Sequence, residues 1–543
     1  MQLFVKKPCK KHTKIVKAGL LNEDCLNYEE IHDGLGVIFN CYKYFREQLK
    51  NKSVEELNNL HNSMFNDTKR ILVLITLDHD DVNEQTIFDT INRAGVRLSA
   101  ADIIKNNIFK NCLDKCESAG LTRDDVCNIY DDKWADLFYK LPEDSNIWDE
   151  KRPFGNVQRT NLEFLLYCVA CIRWGKQKDI FSGLEKVYSD TIEDFDYYTL
   201  EDLIEDIHEY GKLYKKFILD FKSDLDDEEN PKYIKYDNGI ERLLLILDKF
   251  GVQMFYPYIL MRIKDVNGDI KDKDLIRDLK ILESFVVRRR LSPQGVSDYA
   301  TKCDMIIRNG IDQLINSDFV NADSALRDID IRNYLLKVKP DTAKMLLFFI
   351  ELYERRGAIH EVNALEYKFT LEHIMPKKWT THWGSVTVHY DSKEYLTNSE
   401  EGRNIRNEQI QSLGNMTLLT SNLNSSVKNG TFEIKINGCG PGKPGYNKFT
   451  SLYLTKAIVD QYNYGDKIWD ERKIQQRTKE LCEKIIHLWP SFYDQQIVTN
   501  NESNAGNSDP DTVDSNSLFI NKFTAEVLGD PIKLLREMEK KSS

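Results

Sequence analysis

Residues 367–376 read Tyr-Lys-Phe-Thr-Leu-Glu-His-Ile-Met-Pro, and residues 413–424 read Leu-Gly-Asn-Met-Thr-Leu-Leu-Thr-Ser-Asn-Leu-Asn. The first stretch predicts a short strand over 367–374, stopped by Pro376, which cannot donate to a ladder. In the second, Leu413-Gly414-Asn415 forms a tight turn feeding another strand, and Asn424 falls at the start of a helix. The order is strand, strand, helix. Neighbouring residues on a strand face opposite ways, but at a strand's end Glu372 and His373 can both turn into one cleft. Forty-two residues separate His373 from Asn415, and nine separate Asn415 from Asn424.

Residues 366–496 hold 17 basic and 15 acidic side chains, a net charge of +2 in a chain of net −12, so the rest carries −14. This segment is the part least repelled by a phosphate backbone. A long polar loop is expected between the two strands, and an amphipathic helix over 469–489. Upstream, 131–362 reads as almost wholly helical, with apolar residues at three and four spacing in 161–174, 200–221, 240–250, 274–290 and 341–356. Residues 70–77 (RILVLITL) read as a buried strand, followed by a helix near Asp81, Gly95 in a left-handed position, and Ser99 with Asp102 boxing the start of a helix over 100–112. Residues 497–543 make a polar linker and a short terminal helix near 523–540. The expected domains are therefore 1–130, 131–362, 363–496 and 497–543, in an α+β, predominantly helical fold.

At 543 residues and 41% apolar content, the chain is long enough for several cores, which excludes a disordered or fibrous class. Its longest uncharged apolar run, 164–172, has nine residues against the ~18 that a membrane span needs, and no signal peptide is legible. Eleven scattered cysteines lack the spacing of a disulfide framework and read as reduced thiols in the cytoplasm. Cys168 and Cys171 sit in an apolar helical run with no second pair for a zinc site, so they read as core.

The strings LEHIMP (371–376), LGNMTLLTSNLN (413–424) and VKNGTFEIK (427–435) resemble the HNH (ββα-metal) nuclease domain, in the version found in GmrSD-type, modification-dependent type IV restriction endonucleases. That version also ends in a helix like 469–489. The resemblance extends upstream through 87–109 (IFDTINRAGVRLSAADIIKNNIF) and 282–291 (LESFVVRRRL), which look like the later part of the family's ParB-like, NTP-dependent domain and its helical extension. It implies a DNA-cleaving enzyme that leaves 5′-phosphate ends, acting in defence against phage or modified foreign DNA. The family's ParB-like half carries an Asp-Gly-Gln-Gln-Arg motif thought to handle nucleotide, whereas the nearest string here, IHDGLGV (31–37), lacks Gln-Gln-Arg. The expectation is that this half is truncated, that a separate polypeptide supplies it, or that the chain works without NTP.

Phosphodiester hydrolysis needs a base for water and a cation for the leaving oxygen. His373 is the expected base. Glu372 supplies a hard carboxylate and Asn424 a carbonyl oxygen, a donor set suited to Mg²⁺ or Mn²⁺. By resemblance, Asn415 orients the His373 imidazole, and Lys428 and Lys435 are candidate phosphate contacts. Each residue also has a plainer reading. Glu-His is usually an ordinary strand end, Asn415 suits a turn, and Asn424 suits a helix N-cap. Arg288, Arg289 and Arg290 close a helix where the macrodipole favours cations, and DNA contact is the competing reading. Arg93 has no local job and is the stronger upstream candidate. Lys6, Lys7, Lys10, Lys11, Lys14 and Lys17 read as a solvated terminus or a DNA-touching arm. His382, His389, Trp379 and Trp383 fall in the expected loop, as surface residues or substrate contacts. Two functional alternatives stay open: a regulatory or sensor subunit that binds DNA with little cleavage, and an RNA-cleaving toxin.

Overall fold

The computed structural model describes residues 44–45, 47–50, 52–65 and 99–492, apart from 141, 155–156, 176–182, 228, 296, 321–325, 357–362, 441 and 450. Arg93, Gly95, the expected strand at 70–77, the helix near Asp81, the six early lysines and the tail beyond 492 lie outside the described residues. Contacts divide the chain into two units, Met1–Arg97 and Leu98–Ser543. In the first, helix α1 (Val54–Phe65) starts at a reciprocal capping box: Ser53 Oγ accepts from the Glu56 amide at 3.2 Å, and the Glu56 carboxylate accepts from the Ser53 amide at 2.8 Å.

The second unit is mostly helical, with five two-stranded antiparallel sheets among its described residues. Its first helix, α2 (Ala100–Lys115), is N-capped by Ser99, whose Oγ accepts from the Asp102 amide at 3.1 Å. The Ala100 amide donates to Glu163 at 3.0 Å, and Glu163 also accepts from the Thr160 amide at 3.0 Å. One carboxylate thus fixes two helix starts. After the hairpin β1 (Lys151–Phe154) and β2 (Val157–Thr160) comes α3 (Asn161–Trp174), buried on every side from Asn161 to Cys171. Cys168 and Cys171 are core thiols, and burial pushes the Cys171 pKa up to about 12.

Then follow α4 (Tyr197–Tyr214), β3 (Tyr233–Lys235), α5 (Gly239–Phe250), α6 (Lys273–Arg290) and α7 (Pro340–Arg355). Strand β3 pairs with β4 (Ala364–Glu366), tying the helical region to the segment that carries the site.

Helix α7 is the floor of the carboxyl-terminal part. It packs on β5 (Thr370–His373) and β8 (Met416–Leu419) through a nearly unbroken buried run, Met345 to Leu352. Within that run Glu351, wholly buried, accepts from the Tyr453 and Leu454 amides at 2.9 Å each and from Arg355 Nε at 2.9 Å. It therefore caps α12 (Tyr453–Tyr464), whose own N-cap residue, Leu452, has no side-chain oxygen to offer.

The stretch between the two site strands is not a polar loop. It holds α8 (Thr380–Trp383), the hairpin β6 (Val388–Tyr390) and β7 (Lys393–Tyr395), and α9 (Glu400–Gln409). Asp391 and Ser392, both at positive φ, make the hairpin's two-residue turn. Trp379 and Trp383 are 4% and 1% exposed and belong to the core, so they are not substrate contacts. Arg406 on α9 is fully buried. It donates to Glu471 at 2.7 Å and to the Trp383 and Val386 carbonyls at 2.9 Å each, holding this segment to α13 (Glu471–Leu488).

The arginine run ending α6 is likewise internal. Arg288, 1% exposed, donates to the Trp489 carbonyl at 2.5 Å, the Leu326 carbonyl at 2.7 Å and Asp328 at 2.8 Å. Arg289 donates to Gly295 O, Asp318 and Asp298 at 2.9, 3.1 and 2.7 Å. Both fix the chain after α13 and the loops beside α6, which leaves them no free donor face for DNA. Arg290, half-buried, lies over the Phe250 ring.

Candidate functional site

Strands β5 and β8 pair antiparallel, with Glu372 opposite Thr417 and His373 opposite Met416. A single 3-10 turn, Leu413–Asn415, precedes β8, and one residue, Thr420, separates β8 from α10 (Ser421–Val427). The turn needs its glycine because α13 passes over it. A Cβ on Gly414 would lie 2.2 Å from the Ile474 carbonyl oxygen and 2.4 Å from Thr478 Oγ1. Thr478 Oγ1 instead accepts from the Gly414 amide at 3.1 Å.

His373 ends β5. Its ring is half-buried, and Nε2 lies inside with no hydrogen-bond partner. Burial first, then the nearby Lys377 and Lys435 charges, lower its pKa from 6.5 to about 4. The imidazole is therefore neutral at pH 7 and keeps a free nitrogen.

Asn415 is wholly buried and saturated. Its Nδ2 donates to the Met375 and Ile410 carbonyls at 2.8 and 3.0 Å, and its Oδ1 accepts from the Met375 amide at 2.8 Å and Trp469 Nε1 at 3.2 Å. None of these bonds reaches the imidazole. Asn415 holds the backbone two residues past His373, and its own carbonyl accepts from the Ile374 amide at 2.8 Å.

Asn424 lies one turn inside α10. It is not the N-cap, a role taken by Thr420, whose Oγ1 accepts from the Leu423 amide at 3.4 Å. The Asn424 amide donates to Thr370 Oγ1 and to the Leu371 carbonyl, both at 3.1 Å, so both of its donors point at β5. That leaves the carbonyl oxygen as the atom for an outside ligand.

Glu372 and Lys435 form a buried pair. Lys435, on α11 (Phe432–Asn437), is fully enclosed; its Nζ contacts Glu372 Oε1 and donates to the His373 carbonyl at 2.8 Å. Tyr446 donates to the same Oε1 at 3.4 Å. Burial outweighs these partners and raises the Glu372 pKa, while it lowers that of Lys435. Lys435 is thus a brace under the end of β5, with no surface to offer a phosphate. Lys428 is exposed at the end of α10, with φ at 39°, and remains open to solvent.

Three residues of the site had no signal in the strings around it. Tyr446 reaches Glu372 from a separate turn of helix. Arg477, on α13, donates from Nη1 to the Gly414 and Met416 carbonyls at 2.7 and 2.6 Å and fixes the start of β8. Lys377, exposed just past Pro376, adds positive charge beside His373.

The arrangement offers a neutral base at a strand end, an amide oxygen and a carboxylate on neighbouring elements, and exposed lysines close by. Residues 321–484, which include β5, β8, α10 and most of α13, match the family model described as GmrSD restriction endonucleases, C-terminal domain. No curated protein matches the chain.

Proposed function

We propose that the β5–β8–α10 site, which lies within the residues matching the GmrSD restriction endonuclease C-terminal domain, is an HNH-type centre that hydrolyses DNA phosphodiester bonds, in defence against phage or modified foreign DNA. The observation that carries this reading is the His373 imidazole, neutral at pH 7, with its buried Nε2 bonded to nothing. A buried nitrogen without a partner costs stability, and a base awaiting a water proton is a use for it.

The residues present fit a hard dication. Both Asn424 donors are committed to β5, so its carbonyl oxygen is the free atom. Glu372 meets Lys435 and Tyr446 through Oε1 and also accepts from the His373 backbone, so Oε2 is the oxygen that neither side chain takes and the one an ion would use. Asn424 and Glu372 would hold Mg²⁺ or Mn²⁺, which when bound supplies Lewis-acid stabilisation of charge on the leaving oxygen. His373 takes the proton of the attacking water at Nε2. Asn415 keeps the backbone beyond His373 in place, and Lys435 does the same for its carbonyl. Lys377 and Lys428 attract the phosphate backbone. Arg288 and Arg289 have no part in this reading. A ParB-like half on a separate polypeptide, with its NTP, belongs to the same proposal.

The test is cleavage of supercoiled plasmid and of matched RNA by the purified chain, with Mn²⁺ or Mg²⁺ and with EDTA. Metal-dependent nicking of DNA supports the proposal. Cleavage of RNA alone favours the toxin reading, and binding without cleavage favours a sensor.

A further inference from the structure

Helix α4, far along the chain from the nuclease strands, carries Glu205, His208 and Glu209, one helical turn apart on a shared face. One ligand atom from each lies within 4.8 Å of the others. His208 is 7% exposed, and its Nδ1 is buried with no hydrogen-bond partner. That nitrogen faces Glu209 Oε1 at 3.9 Å, too far for a hydrogen bond and a small side-chain shift from the spacing of two donors on one ion.

The charged groups facing the cluster come from α4, from residues 130–138 and from the helix Tyr256–Asp265, whose Lys264 charge acts on Glu209. Lys133 pairs with Glu205 Oε2 at 2.8 Å, Lys212 of α4 pairs with Glu209 Oε1 at 3.0 Å, and the Asp136 charge interacts with His208. Lys212 is exposed and Lys133 partly so, and ion pairs this open to water hold their partners weakly.

We propose that Glu205, His208 and Glu209 bind one first-row transition-metal dication, Zn²⁺ foremost. One imidazole nitrogen and two carboxylate oxygens form a donor set that Zn²⁺ accepts, with water completing the shell. The borderline-soft imidazole separates this site from the all-oxygen nuclease donors and from Mg²⁺. The carboxylates are half exposed, which gives the ion its entry, and Lys133 and Lys212 swing out to water as it binds. All three ligands belong to α4, so the bound ion stiffens the helix where it packs on residues 130–138.

The test is Zn²⁺ titration of the full chain by calorimetry, with thermal melting alongside, for the parent, for His208→Gln, and for the double variant Glu205→Gln/Glu209→Gln. The expected result is one Zn²⁺ fewer per chain in both variants, with the Zn²⁺-dependent rise in Tm lost and the metal-free Tm of the double variant unchanged. The paired variant His373→Ala/Asn424→Ala should keep this Zn²⁺. An unchanged stoichiometry in the double variant overturns the site, as does loss of the same Zn²⁺ in the nuclease-site variant. If His208→Gln does not fold, the double variant decides alone, because its half-exposed carboxylates are not part of the core.

Discussion

His373 should be the most acid-shifted histidine at the nuclease site, and acid should weaken the fold through it. Burial and the neighbouring lysines lower its pKa from 6.5 to about 4, so the folded chain takes up this proton less readily than the unfolded chain. The penalty is absent above pH 6.5, grows as pH falls, and is complete near pH 4. At about 1.36 kcal/mol per pH unit, the drop from 6.5 to about 4 amounts to about 3 kcal/mol of stability lost across that window. His373→Gln removes the titrating group and keeps a polar side chain of similar reach. Denaturant unfolding of parent and variant at pH 7.5 and pH 4 isolates the effect, because the carboxylates common to both cancel in the comparison. The variant should lose about 3 kcal/mol less than the parent between the two pH values. Proton NMR of histidine-labelled protein provides the direct reading: the resonance missing from the variant should have its midpoint near pH 4. A midpoint near 6.5, or equal acid loss in the two proteins, would refute the buried-imidazole account.

Lys435→Met should destabilise the protein by about 3–5 kcal/mol, because it leaves Glu372 charged and buried with no counter-ion; the double variant Lys435→Met/Glu372→Gln should recover most of that in denaturant melts. Asn424→Ala should cost about 1 kcal/mol from its lost bonds to β5 and weaken Mn²⁺ binding in calorimetry, while Thr420→Ala removes the helix cap, costs about 0.5–2 kcal/mol, and leaves Mn²⁺ binding intact. Arg288→Ala should lower Tm, since it strands the Trp489 and Leu326 carbonyls at about 1–3 kcal/mol each, while the salt dependence of DNA binding by the folded fraction stays as in the parent.

The long helices were legible because each repeats its apolar residues at three and four spacing. Asn161–Trp174 has the expected bounds, Gly239–Phe250 and Lys273–Arg290 each start one residue early, and Pro340–Arg355 is shifted by one residue at both ends. The pair of site strands was legible for a different reason: Pro376 and Gly414 mark where backbone pairing stops or tightens. The stretch between them was not. Its strands are three residues long and its helix α8 four, too short for a period to declare itself, and what orders them is Arg406, whose partners lie up to 65 residues away. The arginines ending α6 misled for the same cause. A run of three cations looks like a surface, and only the tertiary structure supplies the carbonyls and aspartates that consume its donors. In the site itself residue types marked His373 and Asn424, but the string around Lys435 carries no sign that its ammonium lies beneath β5 and not against solvent. Asn424 looked like a cap because asparagine so often is one; Thr420, at the residue before the helix, holds that place.

The rate of plasmid nicking by His373→Ala, measured beside the parent in saturating Mn²⁺ with both proteins shown to be folded, decides whether His373 is the base. The account predicts metal-dependent cleavage by the parent and a loss of ~10² to 10⁴ in rate for the variant, with DNA binding retained. Cleavage by His373→Ala at the parent rate would contradict it.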